Sequence, residues 1–186
     1  MSEIAIPAAS QRRLINLWRR SPERFVRGRG CSAEVIEDPC LQSDHYGAFV
    51  SLHACGELRR CRGSCTPDGP LFRTVVEMTE AAASRDQRVE PVSVAELEAI
   101  RIEISVLSSM ERAEDPLALQ VGKHGVYIES GGRRGLFLPQ VATEHGWDIG
   151  KFLEETYRKA GLKKSAWQDP ATLISCFTAL VIEEEP

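Results

Sequence analysis

The chain has 186 residues, with 27 acidic and 23 basic side chains and a formal net charge of −4 at neutral pH. At 42% hydrophobic and 27% charged, it has the composition of a globule able to bury a core and not that of a disordered chain. No run nears the ~18 consecutive apolar residues of a membrane span, and the first arginines follow a short mixed segment, the reverse of a secretory signal, so a cytoplasmic protein with no membrane partner is expected.

Ser10 is placed to cap a first helix in which Leu14, Ile15, Leu17 and Trp18 gather on one side. Residues 1–30 carry seven arginines against Glu3 and Glu23, a local balance of +5. Such a segment either faces solvent or meets an acidic partner; the overall pI near 5.7 speaks against nucleic acid. From Gly28 to Asp44 no period emerges, and an irregular connection carrying Cys31 and Cys40 is expected. Gly47 to Leu52 has strand character, a turn centres on Gly56, and Leu58 to Ser64 forms a second run, so 47–64 reads as a hairpin. Alternation puts Leu58, Arg60 and Arg62 on one face and Arg59, Cys61 and Gly63 on the other.

Pro70 opens an amphipathic helix with Leu71, Val75, Met78 and Ala82 on its apolar stripe. Ser93 and Glu96 form a capping-box pattern ahead of a helical turn over 94–97. Ile100 to Val106 predicts a strand whose isoleucines and Val106 face a core, while Arg101, Glu103 and Ser105 face water. Leu117 to Ser130 reads as two strands about a turn at 122–125, and Leu136 to Leu138 as a further strand ended by Pro139. Asp148 caps a helix to Ala160 with Phe152, Leu153, Thr156 and Tyr157 inward and Gly161 as its stop. Thr172 to Ile182 predicts one long strand. Hairpin-linked strands with helices between them imply an α+β fold, a mostly antiparallel sheet with helices packed on it.

Four segments together resemble a known family: 47–52, Leu58-Arg-Arg-Cys-Arg-Gly-Ser64, Gly122-Lys-His-Gly125, and the block from Gly132 to Trp147 followed by 159–162 and Trp167. The chain resembles the AMME chromosomal region candidate gene 1 (AMMECR) domain family. The resemblance divides the chain into 1–46, an amino-terminal helix and connection of the same unit, and 47–186, the AMMECR-like domain. It implies a small second lobe, a soluble intracellular protein, and an association with Memo-like or radical-SAM proteins in metabolism or modification chemistry. The family's hallmark Leu-Arg-Gly-Cys-Ile-Gly stands here as Leu58-Arg59-Arg60-Cys61-Arg62-Gly63. Arg60 and Arg62 replace a glycine and an isoleucine, which either exposes that face or pairs it with carboxylates.

Four residues are candidates for chemistry. Cys61, beside Arg59, Arg60 and Arg62, is placed as a nucleophile because nearby cations favour a thiolate; a small core residue is the competing reading. His124 lies in a Gly-flanked turn as a candidate acid or base, or as an ordinary turn histidine, with His145 the weaker alternative. Arg59 would hold an anionic group, and Gln140 at the end of a strand would hydrogen-bond a ligand or a buried backbone group. Among the six cysteines (31, 40, 55, 61, 65 and 176) only 61 and 65 have zinc-like spacing, and four residues along a strand span about 13 Å. No metal and no cofactor are therefore expected. Gly131 to Gly135 superficially suggests a phosphate loop, but it precedes no helix and lacks the lysine such a loop needs. Two functions remain open. One is an enzyme-like or ligand-binding domain for a small or peptide-like molecule. The other is an interaction module that presents its Arg-rich face to a protein or nucleic acid.

Overall fold

The computed structural model describes residues 4–20, 24, 26, 36–84, 92–163, 169 and 171–184. The chain divides into two units: Ile4–Leu107 with the carboxy-terminal stretch from Leu180, and Ser108–Ala179. The first part of the expected irregular connection, residues 28–35 with Cys31, along with Arg27 and Trp167, lies outside the described residues.

The first unit is built on a four-stranded sheet in the order β2-β1-β3-β8, with β1 (Gly47–Ala54), β2 (Glu57–Ser64), β3 (Ile100–Leu107) and β8 (Ala179–Glu183). β1 runs antiparallel to both β2 and β3. Helices α1 (Ala8–Arg20) and α2 (Leu71–Ser84) pack over one face. There Ala48, Val50 and Leu52 of β1, Ile100, Ile102, Ile104 and Val106 of β3, and Leu14, Trp18, Leu71 and Val75 of the helices are all buried. The stripes read from the sequence are thus the ones in the core.

Ser10 is not a cap. It lies inside α1, whose first turn is closed by Gln11 N donating to Pro7 O at 3.0 Å. The Ser10 hydroxyl instead donates to Asp38 Oδ2 at 2.9 Å, and Arg13 Nη1 donates to the same oxygen at 2.6 Å. Burial pushes the Asp38 carboxyl up, but these bonds and one from Cys40 N more than offset it, holding its pKa below the usual carboxylate value. At the far end of α1, the Arg19 guanidinium grips both carboxylate oxygens of Glu184 and donates from Nη2 to Ile100 O at 2.9 Å. Glu184 in turn accepts from Ile102 N at 3.3 Å, which joins helix, sheet and chain end.

The hairpin turn is Cys55-Gly56, with both residues at positive φ (53° and 82°), the geometry that matches strand twist. A β-bulge then breaks the expected alternation. Leu52 pairs with Arg60 but His53 with Leu58, so β2 carries one extra residue and Leu58 leaves the face of Arg60 and Arg62 for solvent, 59% exposed. Arg60 is buried, not presented: it is 4% exposed and its Nη1 donates to Ala82 O at 3.4 Å, a carbonyl in the last turn of α2. A cation there complements the negative end of the helix dipole. The Arg-rich face expected as a partner surface therefore contributes to the underside of a helix.

The second unit has its own sheet, β4-β7-β5-β6, antiparallel throughout: β4 (Glu111–Arg112), β5 (Gly125–Ser130), β6 (Arg133–Phe137) and β7 (Leu173–Phe177). Helix α4 (Ile149–Lys159) is capped by Asp148, whose Oδ1 accepts from Lys151 N at 2.7 Å, and it buries Phe152, Leu153, Thr156 and Tyr157 as expected. Two expectations fail here, and a third is extended. Residues 117–121 are not a strand, because Asp115 caps a 3₁₀ turn at Pro116–Ala118. Pro139 does more than end β6, since it starts a short helix, α3 (Pro139–Glu144), as proline at a first helical position does. The long strand 172–182 is two strands in different sheets, interrupted at Thr178, whose backbone is bonded to Ser108.

Gly63 has a packing reason. A Cβ there would lie 2.2 Å from Phe49 Cγ, because the Phe49 ring lies across its strand neighbour. Gly63→Ala is expected to lower stability by about 1–3 kcal/mol through overpacking, seen as a reduced urea midpoint, with part of the loss recovered by Phe49→Leu in the same chain. An unchanged midpoint would refute the contact.

Candidate functional site

β1, β2 and β3 present two chemically opposite faces. The face away from the helices carries Phe49, Ser51 and His53 on β1, Cys61 and Gly63 on β2, and Arg101, Glu103 and Ser105 on β3. Ser51 is the hub, with Cys61 directly across on one neighbour and Glu103 directly across on the other. Side chains facing each other in this way have Cβ atoms about 5 Å apart. His53, next along β1, places Nε2 3.8 Å from Glu103 Oε2. That nitrogen is buried and makes no hydrogen bond among the described residues. Cys61 is half-buried, and Ser51 and Ser105 are buried. The expected wet face of β3 is thus only partly wet: Arg101 is exposed and Ser105 is 2% exposed.

Arg59 flanks this row at the bulge and is engaged, its Nε 3.3 Å from Glu96 Oε1. Glu96 also accepts from Ser93 N at 2.8 Å, and that bond is the main reason its carboxyl lies below the ordinary value. An anion bound by Arg59 would compete with Glu96. Cys40, Cys55, Cys61, Cys65 and Cys176 are reduced thiols. Among the described residues no group of three His, Cys, Asp or Glu side chains is arranged to hold a metal ion; Cys31 lies outside them.

The other two candidates belong to the second unit. His124 closes the turn before β5: its Nδ1 accepts from Gln120 N at 3.0 Å and its own N donates to Gln120 O at 2.9 Å. Burial, with Lys123 beside it, holds its pKa below the ordinary histidine value. A ring that accepts at Nδ1 carries its proton on Nε2 when neutral. His124 is therefore a structural turn residue whatever else it does. Gln140 lies in the first turn of α3, not at a strand end, and its carbonyl accepts from Thr143 Oγ1 at 2.7 Å. His145 is exposed at the end of α3 and packs edge-on against Trp147, centroids 4.6 Å apart. So Cys61 and Arg59 share one unit and His124 and Gln140 the other.

Reasoning from sequence passed over Ser51, His53 and Glu103. The alternation of β3 predicts a solvated face at Glu103 and Ser105, and His53 lies at the end of a strand with no flanking signature. The available signal was the polar positions 51, 53, 61, 103 and 105 on successive strands, which become neighbours only once the register is known.

A family model, AMMECR1, matches residues 16–182. A protein of Methanothermobacter thermautotrophicus is 37% identical over 180 residues, covering 94% of both chains. One from Thermococcus kodakarensis is 37% identical over 182 residues, covering 92% of this chain and 89% of its own. The crystal structure of an uncharacterized protein from Pyrococcus horikoshii superposes with a TM-score of 0.83 at 35% identity, over 92% of this chain and 90% of the other. It has the same α+β fold.

Because the folded His124 resists protonation, stability is full above the unfolded-chain value near 6.5 and declines as pH falls through that value toward the lower native one, where only the unfolded chain takes the proton. His124→Asn, whose Oδ1 can replace Nδ1 as acceptor, is expected to remove that decline while keeping stability at pH 7.5 within about 1 kcal/mol. Urea midpoints at pH 7.5 and 5.0 check it; an unaltered acid slope in the variant would contradict the assignment.

Proposed function

The chain belongs to the AMMECR1 family, and from that premise we propose that it is an enzyme-like, small-ligand-binding domain of the cytoplasm whose working groups line the polar face of β1–β3. One observation carries the reading: Cys61, Ser51 and Glu103 stand in a row across three strands, with His53 beside the carboxylate. A core-packing cysteine needs no such neighbours.

In this reading Cys61 is the nucleophile. As its sulfur adds to a carbonyl carbon of a small or peptide-like substrate, the C–S bond forms while the C=O π bond opens to an oxyanion, and the thiol proton passes to a base. His53 is the base within the same unit, and Glu103 would stabilise the imidazolium that results. Arg59 would hold an anionic substrate group by exchanging Glu96 for it. His124 and Gln140 have no assigned step, since both belong to the other unit. The interaction-module alternative loses its main surface with Arg60 buried, and two of the amino-terminal arginines, Arg13 and Arg19, are ion-paired to Asp38 and Glu184.

Iodoacetamide labelling of the native protein, read cysteine by cysteine by mass spectrometry, tests this. Cys176 is the internal reference. It is buried, its Sγ donates to Glu111 O at 3.6 Å, and burial pushes its pKa up. Cys61 is expected to react at least about tenfold faster than Cys176, and His53→Gln to slow Cys61 severalfold while leaving Cys65 unchanged. If Cys61 is inert while exposed Cys55 reacts, the nucleophile reading falls.

A further inference from the structure

On the side of the hairpin turn, the row through Cys61 ends in two arginines held by different strands of the first unit. Register places Arg101 of β3 directly across from His53. On the other side of His53 stands the β2 bulge, and Arg59, two residues before Cys61, shares the face of that thiol. β2 and β3 are two strand spacings apart, about 10 Å, so the two arginines flank one histidine.

Arg101 is exposed and donates through Nη1 alone, to Glu98 O at 3.0 Å and Ile100 O at 3.2 Å. Among the described residues no carboxylate pairs with it. Arg59 already holds one. Its Nε lies 3.3 Å from Glu96 Oε1, with the two side chains 23% and 35% exposed, and pairs of that length and exposure hold weakly. Glu96 is meanwhile anchored by its other oxygen, since Oε2 accepts from Ser93 N and from Ser93 Oγ, each at 2.8 Å. Oε1 can therefore release Arg59 without undoing the capping box. The bulge thus displays the kind of group it binds: a carboxylate, loosely held on the strand that carries Cys61.

We infer that the substrate is an acylated α-amino acid or the carboxy terminus of a peptide, its carbonyl meeting Cys61 and its free carboxylate clasped by Arg59 and Arg101 in place of Glu96. The inference rests on the reading of Cys61 as the nucleophile and adds what that nucleophile acts on. A guanidinium fork matches the two oxygens of a carboxylate. The spacing fits as well. Cys61 and Arg59 lie two residues apart, about 7 Å at the Cα atoms; one amino-acid unit covers about half of that, and the flexible arginine stem spans the rest.

Iodoacetate and iodoacetamide test the clasp. With either reagent the Cys61 sulfur displaces iodide from the same methylene carbon and gives up its proton, and only the charge beside that carbon differs. Labelling of the full chain at low salt is followed by mass spectrometry, with N-acetylcysteinamide as a neutral reference thiol. The thiolate fraction cancels in the ratio of the two rates, so the ratio reads the local field. At Cys61 the iodoacetate-to-iodoacetamide ratio is expected to be at least about threefold that of the reference. Arg101→Gln should lower it about threefold and Arg101→Lys should keep most of it. Glu96→Gln, which can still accept from Ser93 N, should raise it about twofold. N-acetylglycine should protect Cys61 from iodoacetamide with a Kd below about 10 mM, at least about threefold tighter than N-acetylglycinamide. Cys61 inert to both reagents while Cys55 reacts would overturn the nucleophile reading and the clasp with it. A reactive Cys61 whose ratio matches the reference, whose ratio Arg101→Gln leaves alone, or which the two acetylglycine compounds protect equally would overturn the clasp and leave the nucleophile standing.

Discussion

The register of β1 between β2 and β3 is the constraint on which the first unit depends. With Val50 opposite Ile104 and Ser51 opposite Glu103, every even-numbered residue of β1 enters the core beneath α1 and α2, and every odd one stands on the other side. A slip by one residue would put Ser51 and His53 under the helices and Val50 and Leu52 outside. The apolar face therefore holds the polar face in place. Burial of Ala48, Val50, Leu52 and their β3 partners is the reason that Cys61, Ser51 and Glu103 are aligned at all. Gly63 supports the same arrangement by leaving room for the Phe49 ring at one end of the row.

The departures from the family hallmark make sense against this frame. Arg62 shares the core face with Arg60, yet neither turns the hairpin into a cationic surface. Arg60 reaches the carbonyl end of α2, where a positive charge is favourable, and Arg62 is half-buried. The bulge at Leu58 absorbs the extra residue before the row begins, so the alternation through Cys61 and Gly63 is undisturbed. Two of the seven amino-terminal arginines are likewise tied into the fold. Arg13 and Ser10 fasten α1 to Asp38, and Arg19 fastens it to Glu184 and β3.

The second unit follows the same logic with different residues. Gly135 lets α4 lie directly on β6, where a Cβ would meet Thr156 O and Ala160 N at 2.7 Å. Phe152, Leu153 and Tyr157 can then pack on Val126, Ile128 and Ile174. Tyr157 takes part in that core, which seals its hydroxyl away with no hydrogen-bond partner among the described residues. In both units an element is held by its apolar side, and its remaining polar groups are fixed where they stand.

Local signals determined much of this chain from its sequence alone. The stripe of Leu71, Val75 and Ala82, the isoleucines of β3, the Asp148 cap, the Gly56 turn and the motif around Cys61 were all legible, because propensity, capping and periodicity act over a few residues. They sufficed for the α+β class and the family resemblance. What only the tertiary structure decided involves partners distant in the chain. Ser10 carries the residue type of a cap, but Asp38, 28 positions away, makes it an internal tether. Residues 172–182 have the composition of one strand, but Ser108 pins Thr178 and the two halves join different sheets. His53 and Glu103 acquire meaning only through pairing across 50 residues of chain. Such contacts depend on register and burial, which no local window contains.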